Sequence, residues 1–359
     1  MTTITPKQKA ILDYITGYIG KHQYSPTLKE IARHFKRSQP TIAQHIQTLG
    51  KRGLLRRDKG TVRGISLSVD PSTYIHVHSP KKIGIIGYGM VGQAVQYGFS
   101  NEEIHIYDKY KESEPLKEVV EKSDYIFICL PTPVKGDQSG IDLTIVNSII
   151  NKVVSISKGT DKIIIIKSTV VPGTTKKFIQ KYKESLFCFN PEFLTERAFL
   201  QDFVNADRII VGSENSLVFR RISSLYQKIM PNVPIFQTDT TSAEMVKYMT
   251  NCFLATKVIF ANEMYEICQK LGVKYEEIKK MIVADSRIFD SHLDVTALRG
   301  FGGKCLPKDL LALVALAKKK NVDTKILDAV WSKNLKIRKV YDWEEIPFAV
   351  SKKGFGHQG

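Results

Sequence analysis

The decapeptide Gly300-Phe301-Gly302-Gly303-Lys304-Cys305-Leu306-Pro307-Lys308-Asp309 places a thiol beside two ammonium groups and four residues before a carboxylate. Neighbouring cations favour thiolate over thiol, so the sequence predicts a sulfur that is nucleophilic near neutral pH. Three glycines on the N-terminal side let the backbone approach a ligand closely, and Pro307 stiffens the exit from the turn. Upstream, Glu244, Lys247 and Asn251 fall at i, i+3 and i+7 in a long, largely apolar helical pattern that starts at Ser242. They share one stripe, either a solvated face or the wall of a site. Polar residues also close three apolar strand patterns. Thr132 follows Tyr125 to Leu130, Lys167-Ser168-Thr169 follows Lys162 to Ile166, and Asn190-Pro191-Glu192-Phe193-Leu194-Thr195-Glu196 follows Phe187-Cys188-Phe189.

The elements that must position these groups are legible from residue 81 onward. Lys82 to Ile86 reads as a buried strand running into Gly87-Tyr88-Gly89-Met90-Val91-Gly92 and a helix to about Phe99, followed by the strand Ile104 to Tyr107 and Asp108. The first glycine allows the tight turn, the second lets a pyrophosphate reach the backbone, and the third lets helix pack on strand. The helix N-terminus adds N–H donors and a favourable dipole. Asp108 follows Gly87 by 21 residues, the interval for a carboxylate that accepts the ribose hydroxyls and repels a 2′-phosphate. NAD is therefore expected rather than NADP.

Strands alternating with helices through Arg208 to Gly212 predict a Rossmann-like, doubly wound parallel sheet over residues 81–236. Its strand ends at Pro131, Thr132 and Thr169 would face the ligand crevice. Cys129 and Cys188 sit in apolar strands as core residues. Residues 237–330 read as an all-α domain, with helices from Ser242 to Cys268, Lys274 to Ala284, after Asp309 to Lys320, and from Ile326 to Val340. Residues 331–359 form a tail whose last part, Ser351 to Gly359, is loose. The fold class is α/β.

With 359 residues the chain suffices for two or three cores. No run is long and apolar enough to span a bilayer, and Met1 to Lys9 lacks the apolar core of a signal peptide. Five cysteines without CxxC spacing point to neither disulfides nor zinc, and His76 and His78 lack further ligands, so no metal is expected. A reducing cytoplasm fits. The formal charge of +17 is uneven, because residues 1–70 hold 13 Lys/Arg against 4 Asp/Glu. A compact basic module suits nucleic acid.

Within that module, Thr5-Pro6 opens a first helix with Ile11, Leu12, Ile15 and Ile19 inward, and Ser25-Pro26-Thr27 opens a second with Leu28, Ile31 and Phe35 inward. Ser38 caps a third helix that turns Ile42, Ile46 and Leu49 inward and Gln39, Thr41, Gln44, His45 and Gln47 outward. Leu54 to Leu67 then reads as a β-hairpin with a basic tip. Three helices and a hairpin make a winged helix-turn-helix over residues 1–68, joined to the rest by a linker over 69–80. Ser38, Thr41 and Gln44 would face base edges, and Arg56, Arg57, Lys59 and Arg63 would neutralise phosphates. This stretch resembles the DNA-binding domain of LexA-type repressors, including the Ser-Pro-Thr entry and the Arg-Gly-Ile-Ser-Leu end of the wing.

Residues 81 to about 335 resemble the NAD-dependent UDP-glucose/GDP-mannose dehydrogenases. The resemblance is carried by Gly87 to Gly92 with Asp108, Leu130 to Pro133, Lys167 to Thr169, Asn190 to Leu194, Glu244 to Tyr248 with Asn251, and Gly300 to Asp309. It implies oxidation of a nucleotide-sugar hydroxymethyl group to a carboxylate, UDP-glucose being the type substrate. Cys305 would carry the thiohemiacetal and thioester, Lys247 and Asn251 would stabilise the oxyanion, and Asp309, Glu192 and a water on Thr169 would handle protons. Gly87, Gly89, Met90, Val91, Gly92, Asp108, Pro131, Thr132 and Lys308 would hold NAD. Phe193, Leu194, Glu196, Arg287, Phe301 and Gly302 would hold the sugar nucleotide, Arg287 reaching across a homodimer.

The resemblance also implies a third, nucleotide-gripping α/β domain, of which residues 331–359 would be only the start. Arg197 stands where many relatives have glycine, and Ala297-Leu298-Arg299-Gly300 lacks the usual Pro-Gly. Two readings stay open: an enzyme with an appended DNA-binding domain, or a DNA-bound regulator whose dehydrogenase part senses NAD(H) or a nucleotide sugar.

Overall fold

A computed structural model describes residues 5–22, 24–58, 61, 63–68 and 81–346. The expectations for Lys59, for the linker Val69 to Pro80 and for Ser351 to Gly359 fall outside them. The chain divides into two compact units, Met1–Lys81 and Lys82–Gly359.

In the first unit, helices α1 (Pro6–His22), α2 (Leu28–His34) and α3 (Gln39–Lys51) precede strands β1 (Leu55–Arg57) and β2 (Ile65–Leu67). Thr27 and Glu30 form a reciprocal capping box on α2, and the Ser38 hydroxyl accepts from the Thr41 N–H to start α3. The apolar faces converge on Ile11, Leu12, Ile15, Ile31, Ile42, Ile46, Leu49, Leu55 and Ile65, all buried. β1 and β2 pair antiparallel with Arg56 opposite Ser66.

The second unit begins with β3 (Lys82–Ile86), α4 (Met90–Gly98), β4 (Glu103–Tyr107), α5 (Leu116–Lys122), β5 (Tyr125–Ile128), α6 (Thr144–Ile156) and β6 (Ile163–Ile166). It continues through α7 (Thr174–Lys181), β7 (Leu186–Phe189), α8 (Phe199–Val204), β8 (Ile209–Gly212), α9 (Ser216–Ile229) and β9 (Ile235–Thr238). The seven strands lie in the order β4-β3-β5-β6-β7-β8-β9. All adjacent pairs are parallel except β7 and β8, which meet antiparallel at Phe189 and Gly212, so the sheet departs from the fully parallel expectation at that one seam. The short α8 does not carry the chain back across the sheet as a full crossover would.

Isoleucine-rich strands suit this core because both faces are covered. Ile83, Ile85, Phe127 and Ile165 pack on one side with Phe99 and Tyr226, while Ile86, Ile126, Ile128, Ile164 and Ile166 pack on the other with Val146, Ile150 and Phe189. β3 has β4 on one side and β5 on the other. The order thus reverses there, which opens a crevice at the strand ends carrying Gly87 and Leu130.

Helix α10 (Thr240–Leu271), capped by the Asp239 side chain and stopped by left-handed Gly272, follows the sheet. Its 32 residues span about 48 Å at 1.5 Å per residue. Helices α11 (Tyr275–Ile282), α12 (Cys305–Lys319), α13 (Lys325–Ile337) and α14 (Asp342–Glu345) complete the unit. One boundary differs from expectation. Helix α12 begins at Cys305 itself rather than after Asp309, which sets Cys305 and Asp309 one turn apart on one helical face. Helix α13 follows the expected Ile326 to Val340 stretch, and Trp343 is buried against Trp331, so the segment up to Glu345 packs on the helices. The aromatic contact decides this, and no local pattern announces it.

Candidate active site

The glycine turn after β3 has the steric requirements of a phosphate cradle. Gly87 has a φ of 95°, and a Cβ there would stand 2.5 Å from the Cys129 carbonyl. A Cβ at Gly92 would meet the Gly87 carbonyl at 2.2 Å, so helix α4 can approach its strand only over glycine. Gly89 faces open space and caps α4 with no side-chain acceptor, leaving the N–H groups at Met90 and Val91 for a ligand. The Asp108 carboxylate stands at the end of β4, accepting from the Tyr88 N–H at 2.7 Å and the Tyr110 N–H at 2.8 Å. Lys111 Nζ donates to the Tyr88 carbonyl at 2.7 Å and pins the turn from outside. Pro131 and buried Thr132 line the next strand end across the switch point. An open glycine, free helix-terminal donors and a carboxylate one strand away fit a dinucleotide.

The second site is built from side chains on separate elements. The turn after β7 carries Glu192, α10 contributes Lys247 and Asn251, and α12 contributes Cys305, Lys308 and Asp309. Lys247 Nζ lies 2.9 Å from Glu192 Oε1 and donates to the Glu192 carbonyl at 2.7 Å. Asn251 Nδ2 donates to Asp309 Oδ2 at 2.5 Å, and Lys308 Nζ pairs with the other Asp309 oxygen. Glu192, Lys247, Asn251 and Asp309 are all buried. Burial opposes charge on Lys247, yet Glu192, with Asp309 and Cys305 nearby, holds its ammonium above the ordinary lysine value. Burial likewise opposes charge on Glu192, and Lys247, the Leu194 N–H and Lys167 together more than offset it, holding the carboxyl below its ordinary value. Thr169 stands half-buried beyond β6.

The sulfur departs from expectation. Burial pushes the Cys305 thiol up to about 11, helped by Glu192 and Asp309, against the opposing pull of Lys247 and Lys308. The two lysines adjacent in sequence do not make a thiolate in this state. The cations closest to the sulfur are already matched by carboxylates, a fact that spacing along the chain does not reveal.

The loop before Cys305 is held from behind by residues that its own sequence does not flag. Asn262 Oδ1 accepts from Arg299 Nε at 2.8 Å and from the Gly300 N–H at 3.2 Å, while Asn334 Oδ1 accepts from the Phe301 N–H at 2.8 Å. Phe301 is buried in a cluster with Cys252, Leu310 and Val330. Gly302 is faced by the ion pair of Arg338 and Asp342, and Asp342 also accepts from the Gly303 N–H at 3.1 Å. Phe193 lies under the Arg208 guanidinium at 4.4 Å, and half-buried Leu194 donates its N–H to Glu192 Oε2 at 2.9 Å. Glu196 is exposed with its carboxylate near Gly303, and Arg287 is exposed and paired with Asp285.

In the basic unit, Thr41, Gln44, Arg56 and Arg57 are exposed, and Ser38 is engaged in capping α3. Arg63 differs from the other wing cations. Its guanidinium donates to the Ser25 carbonyl at 2.8 Å, pairs with Glu30 at 3.1 Å and stacks on Tyr24, so it fastens the wing to α2. Lys29, Arg33, Lys36 and Arg37 surround a concave surface beside Ser38 and Thr41, a basic face that the sequence signals only at Lys36-Arg37.

Residues 103–230 match the NAD binding domain of the UDP-glucose/GDP-mannose dehydrogenase family, residues 241–336 match its central domain, and residues 1–64 match the LexA DNA binding domain. The chain is 37% identical over 233 residues to a UDP-glucose 6-dehydrogenase from Rickettsia bellii, covering 64% of this chain and 53% of that protein. It is 35% identical over 226 residues to the UDP-glucose 6-dehydrogenase TuaD of Bacillus subtilis, covering 61% and 48%. The chain spans about half the length of the curated relatives it matches. Among solved structures, a UDP-glucose dehydrogenase from the archaeon Pyrobaculum islandicum superposes with a TM-score of 0.66 at 26% identity, covering 72% of this chain and 68% of that one. A 3-hydroxyisobutyrate dehydrogenase from Mycobacterium tuberculosis shares the fold, at 14% identity and a TM-score of 0.59 over 76% of this chain and 97% of that one.

Proposed function

With residues 103–230 and 241–336 belonging to the UDP-glucose/GDP-mannose dehydrogenase family, we propose that the chain is an NAD-dependent nucleotide-sugar 6-dehydrogenase carrying a DNA-binding module. The observation that carries this reading is the convergence of Glu192, Lys247, Asn251, Cys305 and Asp309, from three separate elements, in one buried cluster. When bound, NAD would supply the hydride acceptor for two oxidations at the same sugar carbon, a fresh molecule serving each. Gly87, Gly89, Met90, Val91 and Gly92 would cradle its pyrophosphate, Asp108 would take its ribose hydroxyls, and Pro131, Thr132 and Lys308 would line its approach.

Cys305 Sγ forms a bond to the aldehyde carbon, because an aldehyde reaches the acyl level by hydride loss only after gaining a tetrahedral C–OH. Lys247 Nζ and Asn251 Nδ2 donate to the developing oxyanion. Water held by Thr169 then attacks the thioester, the C–S bond breaks, and the sulfur recovers its proton. Glu192 and Asp309 receive the protons released along the way. Phe193, Leu194, Glu196 and Arg287 contribute to the sugar-nucleotide side. The type substrate is UDP-glucose.

The test is NADH production by the full chain with UDP-glucose and GDP-mannose. Two NADH per sugar, lost in Cys305→Ser, support the reading, and absence of turnover with every sugar nucleotide overturns it. A second reading, a DNA-bound sensor of NAD(H) or nucleotide sugar, is favoured by the protonated Cys305 and by the closure of Lys247 on Glu192. Tight NAD binding without turnover supports it.

For the basic unit we infer DNA binding through Thr41, Gln44, Arg56 and Arg57, with Ser38 and Arg63 supporting the fold. A salt-sensitive complex weakened by Arg56→Ala and Arg57→Ala is expected. A homodimer through α10 is supported by its exposed Met249, Phe253, Phe260 and Leu271, an apolar stripe that a second copy covers. Five free cysteines fit a reducing cytoplasm. Among the described residues, no helix is long and apolar enough to cross a membrane, and no cluster of residues suits a metal.

A further inference from the structure

Lys167 ends β6 almost fully buried, at 3% exposure, and the proposed chemistry gives it no task. Its ammonium donates to Asn190 Oδ1 at 2.9 Å and to the Tyr226 hydroxyl at 3.3 Å, and lies over the Phe203 ring. Tyr226 donates to the same Asn190 oxygen at 2.5 Å, and Asn190 Nδ2 donates to the Ile210 carbonyl at 2.7 Å. Asn190 is thus held on every polar atom of its side chain. Only Pro191, with its fixed φ, separates it from Glu192, whose carbonyl and carboxylate both meet Lys247. A buried cation survives only where hydrogen bonds and opposite charge repay its desolvation, and a methionine of similar length would pack here without that cost.

We propose that Lys167 is a positioning residue for the Glu192 carboxylate, anchoring the Asn190-Pro191-Glu192 turn and adding a second cation to Lys247 beside the cavity that Lys167 and Glu192 share. The proposal rests on the reading of Glu192 as a proton-handling group. The other groups around this carboxylate are known. Lys247 approaches from α10, Cys305 from α12 and Cys129 from the end of β5, and Asp309 acts on Lys247 and Cys305. Arg208, Asp202 and Asp207 line the cavity of about 190 Å³ that Lys167 and Glu192 share. Of these, Lys247 and Lys167 are the cations that favour ionised Glu192. Burial lowers Lys167 itself to about 8, so it is charged at neutral pH and loses its effect above that value.

The test compares Lys167→Gln, Lys167→Arg and Lys167→Met in the full chain. Gln keeps a donor for Asn190 without the charge, and Arg keeps the charge with the neighbouring cavity to receive its larger head. Expected for Gln is a rise of about one unit in the acid limb of the kcat profile, with KM for NAD unchanged. Expected for Arg is a profile within a few tenths of wild type, and for Met the Gln shift with a further loss of kcat. A second arm needs no turnover: the Glu192 carboxyl, labelled with ¹³C and assigned by its loss in Glu192→Gln, should titrate about one unit higher in Lys167→Gln than in wild type. Should the wild type oxidise no sugar, the catalytic reading falls while this titration still decides the role of Lys167. Equal behaviour of Gln and Arg, or an unmoved Glu192 titration, overturns the proposal and leaves Lys167 a packing residue.

Discussion

The two halves of the site are made of different material. The cofactor cradle is backbone: three glycines, a helix terminus and one carboxylate, contributed by two strands and the helix between them. The thiol centre is side chains, drawn from the ends of β7, α10 and α12, with charges set against one another in a dry interior. A backbone site is fixed once the chain folds locally, because N–H donors and positive φ angles need no titration and no distant partner. A side-chain site is fixed only by its surroundings, since each charge takes its state from its neighbours and from burial. The cradle should therefore respond to sterics and the thiol centre to charge.

The largest expected departure tests the second half of that contrast. Lys247→Met removes the ammonium that pairs with Glu192 and is proposed to face the oxyanion, and kcat should fall by roughly 10²- to 10³-fold, with NAD affinity, read by protein fluorescence, within about twofold of wild type. Equal losses of kcat and NAD affinity would mean that the two halves are not separable. Next in size is a purely steric pair. Gly92→Ala places a methyl 2.2 Å from the Gly87 carbonyl and should lower stability by about 1–3 kcal/mol, seen as a reduced Tm, together with weakened NAD binding. Gly89→Ala meets no atom within 4 Å and should leave Tm unchanged while weakening NAD binding through its methyl in the pyrophosphate path.

Cys305 gives a third, chemical test. With the thiol raised to about 11, iodoacetamide should label it slowly at pH 7.5 in the unliganded chain, and the rate should climb about tenfold per pH unit until it levels near 11. Fast labelling with a midpoint below 8.5 would restore the activating role that the adjacent lysines suggest. A last test, of stability alone, concerns Glu244, which accepts from the Gly173 N–H at 2.5 Å and the Thr175 N–H at 2.8 Å and is raised by burial to about 7. A raised acid favours folding fully below the ordinary value of 4.5, and that advantage is lost as pH climbs through 7. Between these limits, stability should decline by on the order of 3 kcal/mol from this group alone. Glu244→Gln cannot titrate, so the difference in Tm between variant and wild type should change across pH 4.5–7 and stay constant above it.

Much of this was legible before any coordinates. The glycine turn, Asp108, the isoleucine strands and the helical stripe of Lys247 and Asn251 are local patterns, and periods of two and 3.6 residues report which face a side chain takes. The antiparallel seam between β7 and β8 was not legible, because a strand's direction depends on how its connection crosses the sheet. Nor was the work of Phe301, Gly302 and Arg63. The Trp331 cluster, the Arg338 and Asp342 pair and the Glu30 carboxylate that engage them lie far away in sequence.

By itself the sequence determined where the backbone turns tightly, which strands are dry on both faces and which residue types stand at their ends. Tertiary structure alone decided which of those residues are charged, because burial and partner charges reach across dozens of positions. Cys305 stays protonated although lysines flank it, and Lys167, which looks like an ordinary strand-end cation, adds a second counter-charge to Glu192.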